Sequence, residues 1–200
     1  MNRLMQFSTV LTLSLASTIS AAADDEKKFD GFYVGAESGL DYSTFGRTRE
    51  RDTSFYYGGI IGIRKQLESG LTFGLEATFG DSGFSSTNVS PPVIAGAPIA
   101  TFEQSVEYEW SIGATIGTVF GAENNNLLYG KIAHVVTRGR TRIVEFQDNG
   151  FSENIPGIRI GAGFEHAFSD AISLRIEVDY TNSNSDIDGW AVKPGLLFKF

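Results

Sequence analysis

Eight segments that alternate apolar and polar residues, connections that alternate short and long, and a last strand that ends on aromatics predict an all-β chain. The expected fold is an eight-stranded antiparallel up-and-down transmembrane β-barrel. The last strand carries the pattern most clearly. Counting back from Phe200, one face holds Phe200, Phe198, Leu196, Pro194, Val192 and Trp190; the other holds Lys199, Leu197, Gly195, Lys193 and Ala191. Side chains alternate between the two faces of a strand with a period of two. An apolar face with aromatics at both ends suits a bilayer, because rings favour its two interfaces.

The first residues are read as a targeting segment. Arg3 gives a basic start, Leu4 to Ile19 is apolar and rich in Ser and Thr, and Ala21, Ala22 and Ala23 supply the small residues of a cleavage site before Asp24. That makes residues 1–23 a signal peptide, 24–30 a short N-terminal segment and 31–200 the barrel domain. The apolar stretch is short for a membrane-spanning helix. Cleavage would remove one of the 16 basic residues and none of the 24 acidic ones, leaving a net charge of −9. So acidic a chain is a poor nucleic-acid binder. With no Cys there is no disulfide, thiol nucleophile or Cys-based metal site. Gly is high at 23, Pro low at 5, and Phe outnumbers the other aromatics, a composition that fits a sheet with a lipid-facing surface.

Taken in order, the first strand, near Phe32 to Tyr42, turns Phe32, Val34, Ala36, Leu40 and Tyr42 outward and Tyr33, Glu37 and Asp41 inward. The second, near Ser54 to Lys65, turns Phe55, Tyr57, Ile61 and Ile63 out and Arg64 in. The third, Leu71 to Gly80, alternates most cleanly, with Leu71, Phe73, Leu75, Ala77 and Phe79 out and Glu76 in. The fourth, Ser105 to Phe120, has Tyr108, Trp110, Ile112 and Ile116 out and Glu107 and Glu109 in. The fifth, Leu127 to about Arg140, has the weakest alternation, with Leu128, Ile132 and Val136 out and Tyr129 and Lys131 in. The sixth, Ile158 to Phe168, points Arg159 and Glu165 inward; the seventh, Ile172 to Tyr180, points Arg175, Glu177 and Asp179 inward. Short connections at 66–70, 121–126 and 169–171 alternate with long ones at 43–53, 81–103, 139–156 and 182–189, as in a barrel with both ends in the periplasm. Hydrocarbon cannot satisfy an open sheet edge, so the eighth strand must pair with the first. Pro194, the single Pro expected inside a strand, needs a position that tolerates a missing N–H, such as a bulge.

Four segments now support a resemblance: Gly31 to Glu37, Phe73 to Ala77, Arg159 to Glu165 and Leu174 to Tyr180. The chain from about Phe29 to Phe200 resembles the small bacterial outer-membrane β-barrel family, which is similar to the membrane domain of outer membrane protein A and to porin-like surface antigens. The resemblance implies a location in the bacterial outer membrane and contact with its lipid and lipopolysaccharide. The ending Phe198-Lys199-Phe200 resembles the signal read by the barrel-assembly machinery. The resemblance reaches the membrane domain alone and implies no wall-anchoring role.

An eight-stranded barrel is just wide enough for side chains to fill. The inward set Glu37, Arg64, Glu76, Glu107, Glu109, Lys131, Arg159, Glu165, Arg175, Glu177 and Lys193 is therefore expected to form a charge network plugging the lumen, with a narrow charge-lined pore as the alternative. Lys193 and Lys199 are expected to meet carboxylates such as Glu37. Arg47, Arg49 and Arg51, with Arg138, Arg140 and Arg142, cluster near the outer rim. They are either contacts for lipopolysaccharide phosphates, which Arg matches bidentately, or a solvated face neutralised by Glu50, Asp52 and Glu145. His134 and His166 lack an evident partner for nucleophilic or acid–base work and read as interfacial packing. Asn184 to Gly189 opens like a calcium loop, but the closing acid position is Gly195, so neither a metal nor another cofactor is expected. The apolar stretch Val89 to Ala100 fits either folding over the mouth or contacting a partner. The expected function is a structural or surface-interaction role, in membrane integrity, adhesion or contact with host surface molecules. A small-solute pore is the alternative, a lipid-modifying barrel enzyme is less favoured, and no enzymatic activity is expected.

Overall fold

The computed structural model describes residues 27–45, 50–83, 85–90, 100–143, 150–183 and 187–200. Nine strands run through them: β1 Gly31–Phe45, β2 Glu50–Gln66, β3 Leu71–Asp81, β4 Ser85–Ser90, β5 Ala100–Phe120, β6 Asn126–Ile143, β7 Gly150–Ala167, β8 Ile172–Ser183 and β9 Ile187–Lys199. Every pairing is antiparallel. The last strand closes on the first from Tyr33↔Lys199 to Phe45↔Ile187, and β3 pairs with β5, so eight strands form a closed barrel. β4 stands outside that count. It continues the line of β3 along β5 after Ser82 and Gly83, where Gly83 takes a left-handed φ of 57° that other residues resist.

The faces follow the alternation. Ile61, Leu75, Ile112, Ile132, Ile160 and Leu196 project into the lipid zone. Phe32, Phe73, Phe120, Phe168 and Phe198 ring the short-turn end. Tyr42, Phe55, Tyr57, Phe79, Trp110 and Trp190 ring the other, reinforced by the Tyr180–Trp190 contact at 5.0 Å and the Phe79–Tyr108 stack at 5.7 Å. Two aromatic girdles with an aliphatic band between them set the membrane position.

Three expectations are corrected. The described residues of the long connections are largely strand. β5, β6 and β7 run for 21, 18 and 18 residues, well beyond the roughly ten that cross a bilayer. Above the upper girdle no lipid selects an apolar face, so the alternation that marks a membrane strand fades while the backbone ladder goes on. Pro156 consequently lies inside β7. It sits at the last residue before the β7–β8 ladder begins at Gly157↔Ser183, where the β8 side has no strand partner among the described residues. Pro194 sits at no bulge. Register with β8 and β1 stays constant, and the ladder to β1 lapses only between Glu37↔Gly195 and Leu40↔Val192. At that lapse β1 comes so close that a Cβ on Gly39 would lie 2.0 Å from the Val192 carbonyl oxygen.

Because β2 pairs with β3 only from Tyr57↔Asp81, and β7 with β8 only from Gly157↔Ser183, the wall divides above the girdle. One flap is β8–β9–β1–β2. The other, β4–β5–β6–β7, is the taller.

Candidate functional site in the lumen and on the outer flap

Tilted strands bring inward residues from several strands to one height, and the interior is filled in layers. At the short-turn end Phe29 tucks under the barrel against Val119, Leu127, Tyr129 and Ala167. Its N–H donates to Gln66 Oε1 at 3.0 Å, Lys199 Nζ lies 5.0 Å from the centre of its ring, and that ammonium also donates to the Lys28 carbonyl. Above it Arg64 pairs with Glu165 at 3.0 Å, and Ser173 donates to the same carboxylate at 2.6 Å. In the middle Arg175 grips Glu76 with both terminal nitrogens, at 2.6 and 3.2 Å, and reaches Glu37 at 3.2 Å. Tyr33 donates to Glu76 at 2.9 Å, Tyr129 to Glu177 at 2.6 Å, and Lys131 pairs with Glu177. The two rings fit because inward Gly62 and Gly163 face them; a Cβ there would lie 2.3 and 2.4 Å from ring carbons. Higher still, Lys193 pairs with Asp179 at 3.2 Å and lies 4.2 Å from the Tyr56 ring centre, while Arg159 pairs with Glu109 at 2.6 Å and donates to Thr181 at 2.8 Å.

Among the described residues, six buried carboxylates (Glu37, Glu76, Glu109, Glu165, Glu177, Asp179) face six buried cations (Arg64, Lys131, Arg159, Arg175, Lys193, Lys199). Balance of this kind is what makes so many charges tolerable away from water, since each would otherwise carry a desolvation penalty of several kcal/mol. Near the outer mouth a cavity of about 30 Å³ remains between Asp41, Glu109, Arg159 and Thr181, room for about one water.

Two placements differ from expectation. Lys193 meets a carboxylate as expected, but that of Asp179, Lys199 donates to the Lys28 carbonyl, and Glu37 is met by Arg175, because residues at one height inside a tilted barrel are not those opposite each other in the ladder. Glu107 is not in the lumen. Register between β5 and β6 shifts between Val106 and Tyr108, and this bulge turns Glu107 to the outer side while Val106 lines the mouth. There Glu107 accepts from Arg138 at 3.0 Å and Arg140 at 3.4 Å. Arg142 pairs with Glu103 on the same face, and Arg138 also donates to Asn154 at 3.1 Å. Desolvation works to raise the Glu107 carboxyl, but hydrogen bonds from Arg138, Ser152 and Arg140 and the Arg138 charge outweigh it and hold the group below the usual carboxylate range. Arg47 and Arg49 lie outside the described residues, and of Arg51 only the strand backbone, paired with Thr44, is described.

The histidines are placed apart. His134 lies on the outer face, edge-on to Trp110 at 6.0 Å; His166 shares a 2.8 Å hydrogen bond with Asn126 beside Phe168 near the short turns. Among the described residues no group of three or more His, Cys, Asp or Glu could hold a metal ion. The calcium-like stretch from Asn184 to Asp186, and 91–99 of the apolar connection, lie outside the described residues. Sequence reading missed Phe29, whose short segment carries no alternation, and the interior roles of Tyr56 and Ser173. Strand parity alone places Ser173 on the inward face with Arg175 and Glu177.

A family model for the outer membrane protein beta-barrel domain matches residues 9–200, and the chain belongs to that family. No curated protein sequence matches it. Among solved structures it is similar to the attachment invasion locus protein Ail of Yersinia pestis, at 13% identity and a TM-score of 0.57 over 86% of this chain and 99% of that one. It is also similar to Neisserial surface protein A, at 16% identity and a TM-score of 0.52 over 86% of this chain and 98% of that one. A second structure of Ail, bound to the heparin analogue sucrose octasulfate, matches at 12% identity and a TM-score of 0.53 over 85% of this chain and 99% of that one. At such identities the likeness is one of fold.

Proposed function

We propose that the chain is a non-enzymatic barrel of the outer membrane that stabilises the membrane and makes contacts at the cell surface through its tall flap. The observation that carries this is the pairing of a filled lumen with strands that continue far above the girdle. Among the described residues every layer from Phe29 to Arg159 is occupied by side chains, which supports a closed bore, whereas β4–β7 present a sheet to the outside. Sharing a fold with solved barrels named for attachment and for the surface supports the reading, as does the heparin-analogue complex of Ail. Host molecules, sulfated glycans included, are the class of surface partner that the flap would meet. Phe198 of β9 and Phe200, the residue after it, are assigned to recognition by the barrel-assembly machinery.

One observation favours the narrow pore instead. Arg159 Nη1 and Arg175 Nε are buried without a hydrogen-bond partner among the described residues, and ordered water in the bore would satisfy them. Planar-bilayer recording separates the readings: the folded protein should give no step conductance above background, and reproducible steps would establish the pore. Cutting the β6–β7 hairpin back to Arg138 and Asn154 should abolish binding of cells to immobilised host glycans while the barrel stays heat-modifiable on gels. Undiminished binding would count against the surface role of the flap.

A further inference from the structure

We propose that residues 27–30 form a strap that is drawn across the floor of the bore once the barrel has closed and locks the β1–β9 seam against reopening. The inference needs only the barrel fold, not a surface partner.

The strap runs from one wall of the barrel to the opposite one. Going round the closed wall in either direction, β6 is the fourth strand from β1, and so lies diametrically across the bore. Phe29 stands just before β1, yet its ring packs with Leu127 and Tyr129 of β6 and with Val119 and Ala167 of the flanking β5 and β7. The chain therefore turns from the wall straight across the floor. Gly31 makes that turn with a left-handed φ of 105°. A Cβ there would lie 2.8 Å from the Phe200 carbonyl oxygen, so this corner and the residue after the closing strand are fitted to each other.

Both neighbours of β1 hold the strap. On the β2 side Phe29 donates its N–H to Gln66 Oε1 at 3.0 Å, and the Gln66 N–H donates back to Asp30 Oδ1 at 2.7 Å, a reciprocal catch at the end of the strand. Asp30 also pairs with Lys65 at 2.9 Å, but that ammonium stands in solvent and adds little. The Asp30 N–H donates to the Lys27 carbonyl at 3.0 Å and keeps the strap in a tight turn. On the β9 side Lys199 donates to the Lys28 carbonyl and lies 5.0 Å from the centre of the Phe29 ring. One short segment thus ties both sides of the seam to the wall that faces it.

The seam is where such a tie has most effect. Its ladder is interrupted: the floor rungs run from Tyr33↔Lys199 to Glu37↔Gly195, and pairing resumes only at Leu40↔Val192. The floor rungs are a short zipper that would fray from below. The contacts of the strap are gathered from Gln66, Val119, Leu127, Ala167 and Lys199, which meet only after β9 has closed on β1. Interactions that form so late slow unfolding and leave the folding rate nearly unchanged.

The test uses protein purified from outer membranes in neutral detergent. Unfolding and refolding rates in urea are read by heat-modifiable mobility, and amide exchange of the native barrel by mass spectrometry. Asp30→Ala should speed unfolding about tenfold, the scale of a backbone N–H left without its acceptor, and should change refolding by less than about twofold. Asp30→Asn keeps an oxygen for the Gln66 N–H and should stay near the parent. Gly31→Ala should speed unfolding further; should it fail to fold, Asp30→Ala carries the comparison. In native Asp30→Ala, exchange should quicken at residues 33–37 and 197–199 and stay parent-like at residues 71–76 of β3. Unfolding at the parent rate, or an effect confined to refolding, would overturn the proposal. So would faster exchange around Val119 and Leu127 with an unchanged seam, which would make the segment floor packing and nothing more.

Discussion

Arg175 lies at the centre of the lumen with Glu76 held by both terminal nitrogens and Glu37 by one. Removing it strands two carboxylates where water cannot reach, which costs more than the pair contributes, because the desolvation penalty stays after the partner has gone. Arg175→Ala should therefore destabilise the barrel by about 3–5 kcal/mol, seen as a fall in the urea midpoint in detergent. Arg175→Met with Glu76→Gln and Glu37→Gln should regain most of that loss. A single variant as stable as the parent would show that the layer is wet. Residues of this kind are where parity reading reaches its limit. Period two places Arg175, Glu76 and Glu37 inside, but it does not say which of them meet, since strand tilt sets the heights; Glu37 was expected beside lysines and lies beside Arg175. Glu107 marks the other limit. A bulge adds one residue and reverses the parity on one side of it, and the local sequence Val106-Glu107-Tyr108-Glu109 reads equally well in unbroken alternation.

At the scale of the element, membrane-crossing segments were legible because lipid imposes one apolar face, and they stopped being legible where the lipid stops. β7 shows both. From Gly157 to Ala167 buried and exposed positions alternate; from Gly150 to Pro156 the strand pairs with β6 alone, and its residues were read as loop. Pro156 and Glu153 on that upper stretch blunt a free edge that could otherwise recruit a foreign strand. β9 is the opposite case, paired on both sides and needed for closure. Phe200 donates its N–H to the Phe32 carbonyl and Lys199 reaches the Lys28 carbonyl, so the last residues tie β9 to the start of β1 and the segment just before it at the barrel floor. Deleting Phe198 to Phe200 should cut outer-membrane levels severely, measured by fractionation and heat-modifiable mobility, because it removes the last rungs of the closing ladder and, on the proposed reading, the assembly signal. Normal levels of the truncated chain would show that neither is needed.

For the whole molecule the question is what shuts the lumen. Two structures lie in series along the axis: the Phe29 stopper at the floor and the ion-pair layers above it. Phe29 is held by one backbone hydrogen bond, a cationic contact with Lys199 and an apolar seat on Val119 and Leu127, so its loss is a floor defect. Phe29→Ala should destabilise the barrel by roughly 3 kcal/mol, the scale of a large-to-small core change. It should not open a conducting path, because Arg64–Glu165 and Arg175–Glu76 still cross the bore above it. Removing a layer should act differently from removing the stopper. A barrel lacking both the Phe29 ring and the Arg175–Glu76–Glu37 charges should admit water along its length and show small conductance steps, whereas either change alone should not. If Phe29→Ala alone conducts, then closure resides in the floor, the charge layers are permeable, and the filled lumen no longer argues against transport.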